Sequence, residues 1–392
     1  MARFVRFVVG SAENGEWPKP VRFAAALAML QFGLFVAAYL VFWIVNRPIE
    51  RDFASQYAAA SVGVRFGWSH IYDHQYLQRA EAAFGAPFSL YLHPPPVAWL
   101  AAPLTFLSFP IAALIWQAIL LVALGASVYL IAPASTWGRT LTVLSVAAFQ
   151  PTLFALGYAT MSPLILLLVA GALRAMRNRH PVVAGALLGL TALKPQLTLL
   201  MLPLLLCSGY WKTALTAVGV AVVMAAVSVV AIGADGLRDY ISVLTGPDLL
   251  NHVFPWTVKG LVGAGTPSFI ATALVVLGLM AVGIWLRPYA DLAIGLGVLA
   301  SMFVAQHLNF GDFVLWLIPI WLAFERGRPQ WFGIVAGVTW LTGWFVVGIP
   351  LIALAGEGAL AIALVAAISA ARPSRSTEVT APVSIQPTPK TS

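Results

Sequence analysis

The chain reads as an all-α polytopic membrane protein, and three observations carry that reading. Apolar residues fill 60% of its 392 positions and charged residues 9%, with a mean hydropathy of +0.89. Apolar runs near the length of a bilayer crossing, about 20 residues, recur along almost the whole chain. These runs are continuous, unlike the alternating segments of about ten residues that build a β-barrel. The net charge of +8 is scattered over many short loops, which fits orientation in a membrane better than a nucleic-acid surface. The single cysteine, Cys207, lies in an apolar run, so there is no disulfide framework and no cysteine metal site.

Taken in order, residues 1–21 form a cytoplasmic N-terminal segment without a cleavable signal pattern. The first span is expected from Arg22 to Val45, and a polar interruption opens the first outer loop, placed at 46–110. Within that loop Val97–Phe109 is bracketed by Pro94-Pro95-Pro96 and Pro110. It is too short to cross comfortably and is expected to be re-entrant or juxtamembrane. Apolar runs follow at Ile111–Ala132, Leu141–Leu156, Pro163–Met176, Val182–Leu193, Leu197–Cys207 and Thr213–Ile232. A second large outer loop, 233–266, separates these from Pro267–Leu286, Leu292–Val304, Phe313–Phe324, Trp331–Val347 and a last helix ending near Ala371. Residues 22–371 thus form one transmembrane domain, and the Ser-, Thr- and Pro-rich tail 372–392 is expected to be disordered and cytoplasmic.

Charge selects the topology. With Val97–Phe109 re-entrant and the N-terminus inside, Arg139, Arg174, Arg177, Arg179, Lys212, Arg326 and Arg328 fall on the cytoplasmic side. The count is then about 12 spanning helices in the cytoplasmic membrane, with both termini inside. Val182–Leu206 reads either as two short helices or as one helix broken at Lys194-Pro195; two helices fit the charges better. Irregular backbone at depth must face protein or water, so Lys194-Pro195-Gln196 is expected to line a cavity.

This topology gathers acids and histidines on the outer face. Asp52, a few residues beyond the first span, is the leading carboxylate: it reads as a general base for an acceptor hydroxyl, or more plainly as the N-cap of a helix starting at Phe53. Lys194 at membrane depth marks a functional site, with an anionic phosphate as its natural partner; the plainer reading is a lysine snorkelling to the interface. Gln196 beside it offers a further hydrogen bond. His93 precedes a rigid proline run and reads first as a turn residue, with phosphate or acceptor contact as the alternative. In the polar loop Gln306–Asp312, His307 and Asp312 are candidates for phosphate and sugar hydroxyls, and Asp312 alternatively caps the next helix. Tyr158, in the outer turn Gly157–Ser162, is placed at the same cavity, and Arg65 joins Lys194 and His307 as a candidate for charge on a leaving phosphate.

Several motifs are missing. No phosphate-binding G-x-x-x-x-G-K-[ST] loop, no paired metal ligands and no D-x-D element occur, so any sugar donor is expected to be lipid-linked. What remains is an ordered set: Asp52, Phe53, Tyr57, Ala58 and Ala59 after the first span, Tyr91 with Pro94 and Pro95, Leu193-Lys194-Pro195-Gln196 between short helices, and a late His-containing outer loop. Over roughly Arg22–Trp344 this set resembles glycosyltransferase family 87, the polyprenyl-phosphate-mannose-type transferases of the GT-C fold. The resemblance implies an inverting membrane enzyme that moves a sugar, often mannose, from a polyprenyl-phosphate carrier to a lipid or glycan acceptor on the outer face. It maps the family's loop aspartate onto Asp52 and the lysine of its K-P pattern onto Lys194, and places Tyr57 in the substrate-binding set. The sequence departs from the family at Gly157-Tyr158, where related members often carry Gly-Gln. No cofactor is expected, with a divalent cation left open; the partners are donor, acceptor and membrane lipids, not nucleic acid. A transporter or flippase for a lipid-linked or small polar solute is the alternative. It predicts polar groups through the midplane and an internal repeat, and the chain shows no convincing repeat.

Overall fold

The first described helix, α1 (Arg51–Phe66), is rich in small residues, and every position from Phe53 to Gly63 is buried. Small side chains let other elements close on it from several directions, and from Val64 onward it emerges and is exposed. The structure is a computed structural model and describes residues 51–132, 149–246, 257–287 and 289–326, with scattered positions between 139 and 147 and between 356 and 362. The expected first span, Trp331–Val347, the last helix (apart from a few of its positions) and both terminal segments lie outside the described residues.

An aromatic cluster seats α1. The Phe53 ring stacks on Trp116 at 5.2 Å and Phe109 at 6.0 Å, while Tyr57 meets Phe84 edge-on at 5.4 Å. Such pairs are worth roughly 0.5–1.5 kcal/mol each beyond the area they bury. Trp116 and Phe109 belong to α4 (Phe109–Ile131) and Phe84 closes α2 (His74–Ala83). Asp73 caps α2 by accepting from the backbone N–H groups of Gln75 and Tyr76. Val97–Phe109, expected to be re-entrant or juxtamembrane, forms a short helix α3 (Pro95–Ala101), then a 3₁₀ turn (Ala102–Phe106) that leads into α4. Pro95 and Pro96 open α3 where no helical N–H is needed, and Pro103 and Pro110 prevent one continuous helix.

Next come α5 (Gln150–Gly157), α6 (Ser162–Arg177), α7 (Pro181–Leu190), α8 (Met201–Cys207) and α9 (Trp211–Thr245). Between α7 and α8 the chain makes two 3₁₀ turns, Thr191–Leu193 and Pro195–Leu197, so Val182–Leu206 is two short helices flanking Lys194. α7 packs closely on α9 through Gly185 and Gly189, one turn apart. A Cβ on either would stand 2.6 Å from Thr216 or Val220, so small residues here set the crossing distance. α9 bends at Gly233 (φ 69°) and resumes to Thr245, so part of the interval assigned to the second outer loop is helical. That extension buttresses the first loop: Tyr240 lies 4.6 Å from Tyr72.

The described chain ends with α10 (Val258–Val262), α11 (Thr266–Trp285), α12 (Ala290–Val304), a 3₁₀ segment (Phe310–Trp316) and α13 (Leu317–Arg326). Among the described residues three helices, α4, α9 and α11, are long and apolar enough to cross a membrane, and three shorter apolar helical stretches accompany them. The molecule is therefore a helical membrane protein, with a span count below the expected 12 over the residues described.

Candidate active site

Three separate turns converge on one point. The first is the start of α1, where Asp52 sits in the first helical turn. Its backbone N–H donates to the Tyr158 carbonyl at 3.3 Å, and its carboxylate accepts from Asn309 Nδ2 at 3.1 Å on Oδ1 and 3.0 Å on Oδ2. Over the described residues the helix is already in place at Arg51, two residues before Phe53, so Asp52 lies within it and is not its N-cap. The carboxylate thus reaches across the fold to Asn309.

The second turn is Gly157–Ser162. Its shape rests on Ala159, which is fully buried at φ 53°, a left-handed conformation uncommon outside glycine. Trp116 Nε1 donates to the Ala159 carbonyl at 3.1 Å, and the Thr160 N–H bonds the Ala155 carbonyl at 2.9 Å. This orientation directs the Tyr158 carbonyl toward Asp52 and places the Ser162 hydroxyl on the Asp312 carboxylate.

The third is Asn309–Asp312, which opens the 3₁₀ segment with a reciprocal cap: Asp312 Oδ2 accepts the Asn309 N–H at 2.8 Å. Asp312 Oδ1 pairs with Lys194 Nζ at 2.5 Å, and both side chains are buried, at 0% and 1% exposure. Gly311 makes the approach possible, because a Cβ there would lie 2.8 Å from the Ala155 Cα. A continuous chain of contacts results: Lys194 to Asp312, Asp312 to the Asn309 backbone, and the Asn309 amide to Asp52.

The electrostatics follow from this geometry. Withdrawal from water pushes the Asp52 carboxyl up to about 6; nearby Lys194 and the Asn309 hydrogen bond hold it down, while Asp312 raises it. Burial, then the positive field of Lys194 and the neighbouring His307, depress His93 to about 3, so its imidazole is neutral at ordinary pH. A neutral His93 can exchange hydrogen bonds with a substrate but brings no positive charge to a phosphate. Its carbonyl is anchored by the Tyr72 hydroxyl at 2.8 Å.

The expected site residues separate into two groups. Asp52, Lys194, Asp312, His93 and His307 come together, and Tyr158 contributes its carbonyl while its ring stacks on Phe154 at 5.8 Å. Lys194 has a carboxylate as its partner and does not snorkel outward. Gln196 is half-buried on its 3₁₀ turn and makes no hydrogen bond to the cluster. Tyr57 points its hydroxyl to the Leu107 carbonyl at 2.7 Å, away from Asp52. Arg65, expected at the leaving phosphate, lies at the other end of α1; a rise of about 1.5 Å per residue puts it about 20 Å from Asp52 along the axis. Asn309 and Ser162 were not singled out from sequence. The available signal was their place in the two polar turns already marked. Among the described residues no group of three His, Cys, Asp or Glu side chains is gathered for a metal ion.

The family model for glycosyltransferase family 87 matches residues 91–264. The family 87 match covers under half of the chain and includes His93, Tyr158, Ser162, Lys194 and Gln196, with Asp52, His307, Asn309 and Asp312 outside it. It agrees with the resemblance read from the sequence, and with the apolar helices it supports a membrane glycosyltransferase. No curated protein matches the chain.

Proposed function

We propose that this protein is an inverting glycosyltransferase that moves a hexose, mannose in the first instance, from a polyprenyl-phosphate carrier to a hydroxyl of a lipid or glycan acceptor at the outer membrane face. The observation that carries the reading is a partly exposed carboxylate, Asp52, oriented by Asn309 and titrating near 6, beside the buried Lys194–Asp312 pair. A base of that strength is mostly ionised at neutral pH yet basic enough to take a proton as the acceptor oxygen attacks.

In the proposed step the acceptor oxygen bonds to the anomeric carbon while its proton passes to Asp52. The bond from that carbon to the phosphate oxygen breaks, and the phosphate leaves with the electron pair. Attack opposite the leaving group inverts the anomeric centre. His307 and the neutral His93 supply hydrogen bonds, and Lys194, partly neutralised by Asp312, supplies positive field to the departing phosphate. Lys194 and Asp312 also act as positioning residues, since Asp312 fixes the Asn309 backbone whose amide orients Asp52.

The test is transfer by purified wild type and Asp52→Asn from radiolabelled polyprenyl-phosphate-mannose to a total lipid extract. Wild-type transfer with a loss of about 10²–10⁴ in the variant, donor binding retained, is the expected outcome. Equal transfer by both removes Asp52 from the mechanism, and donor binding without wild-type transfer rejects the sugar or acceptor assignment.

A further inference from the structure

A cavity of about 840 Å³ opens at the far end of α1, away from Asp52, between α1, α2, the 3₁₀ turn Ala102–Phe106 and the start of α4. Arg65 and Arg79 both line it, no carboxylate does, and neither guanidinium has an ion-pair partner among the described residues. Two unpaired arginines in one concavity repel each other, so an anion is the natural occupant, and the planar guanidinium matches phosphate oxygens in particular. Ser61, Tyr76 and Ser108 share the lining and add polar surface, while the hydroxyls of Tyr57 and Thr105, also in the lining, donate to the Leu107 and Ala102 carbonyls.

The surroundings decide which phosphate. Ser108, Phe109 and Pro110 also line the cavity, where α4, 23 residues long and apolar enough to cross a membrane, begins. Just below, Ile111 and Leu114 are exposed at 51% and 53%, as expected of side chains that face acyl chains. At the rim Phe106 is 84% exposed and Phe66 56%, two rings beside two arginines. Cationic groups at headgroup depth with aromatic rings at the apolar boundary form the pattern of an interfacial lipid site. A soluble phosphate would use the arginines and leave Phe106 in water without a role.

We infer that this cavity binds the phosphate headgroup of an anionic membrane lipid, with Arg65 and Arg79 on the phosphate and Phe106 against the acyl chains. At about 20 Å from Asp52 along α1, the bound phosphate is not the one released in glycosyl transfer. The inference stands apart from the transfer reading, because lipid retention is read without donor or turnover and either can fail alone.

Wild type, Arg65→Gln/Arg79→Gln and Phe106→Ser are purified in a neutral detergent, and bound lipid is measured by native mass spectrometry. Phosphatidylglycerol, phosphatidylcholine or inorganic phosphate is titrated in each case. The expected result is selective retention of phosphatidylglycerol by the wild type, falling about tenfold in the double variant and less in Phe106→Ser. If the double variant does not fold, the single exposed-site variant Arg79→Gln is read in its place, with the same direction of change. Unchanged retention in the arginine variants overturns the site. Displacement of the lipid by inorganic phosphate at equal concentration overturns the lipid assignment.

Discussion

Asp52 and Asn309 stand 257 positions apart in the chain, yet the Asn309 amide nitrogen lies 3.0 and 3.1 Å from the two Asp52 carboxylate oxygens. One donor shared between both oxygens fixes the plane of the carboxylate and favours its ionised form. Removing that donor should therefore affect both rate and titration, and in a predictable direction.

Asn309→Ala leaves Asp52 withdrawn from water with one stabilising hydrogen bond fewer. Its carboxyl then rises above about 6, and more of the base is protonated at any given pH below neutrality. Transfer is expected to fall about tenfold at pH 6 and less at pH 8, with the acid limb of the rate profile displaced to higher pH. A merely structural role for Asn309 would lower the rate equally at all pH values. The pH dependence of kcat/KM for both proteins separates the two.

Much of this site was legible one residue at a time. Asp52, Lys194, His307 and Asp312 each interrupt an apolar pattern, and burying a polar group at such a point is costly enough to mark it. The helices flanking Lys194 were less plain: the loop charges favoured two short helices over one helix broken at Lys194-Pro195, and the two 3₁₀ turns between α7 and α8 decide for two. What stayed hidden were pairings made across the fold. Lys194 meeting Asp312 instead of a phosphate, and Asn309 acting as the contact to Asp52, depend on how three turns close together. Arg65 was misplaced for a related reason: sequence puts it in the same loop as Asp52, and only an unbroken α1 carries it to the opposite end. At Gly233, where the polar interval was expected to open, α9 bends and then continues as helix to Thr245.

The buried Lys194–Asp312 pair should be intolerant of half-removal. Lys194→Met leaves Asp312 buried with an uncompensated charge, and truncating one partner of such a pair costs about 3–5 kcal/mol. Asp312→Asn in the Lys194→Met background removes that charge and keeps a hydrogen-bonding group for Ser162 and the Asn309 N–H. The double variant is expected to regain a large part of the lost stability while transfer stays impaired, since the field near the leaving phosphate is still missing. Denaturation of the detergent-purified single and double variants, alongside the transfer assay, measures both. A double variant no more stable than Lys194→Met would rule out an energetic coupling of the two charges.

Glu81 gives a pH dependence that belongs to the fold and not to the site. Its side chain is fully buried in α2; Oε2 accepts the Ser89 N–H at 2.9 Å, while Oε1 has no partner among the described residues. Burial lifts its carboxyl from 4.5 to about 7, against a smaller opposing effect of the Ser89 hydrogen bond. Between those values the folded state holds a proton that the unfolded chain has released. Stability therefore declines as pH rises through this window and levels off above about 7. Glu81→Gln keeps the shape and an acceptor for Ser89 but cannot ionise, so the part of the slope that Glu81 contributes should vanish, leaving the smaller and opposed contributions of Asp52 and His93. At pH 7.5 the variant should be at least as stable as the wild type, since no charge has to be kept in the interior. Thermal midpoints of both proteins from pH 5 to 8 test this: the wild-type midpoint is expected to fall relative to that of Glu81→Gln as pH rises to about 7, and the difference between them to level off above it. Parallel curves would mean that Glu81 is ionised throughout and reaches water by a route the packing of α2 does not suggest.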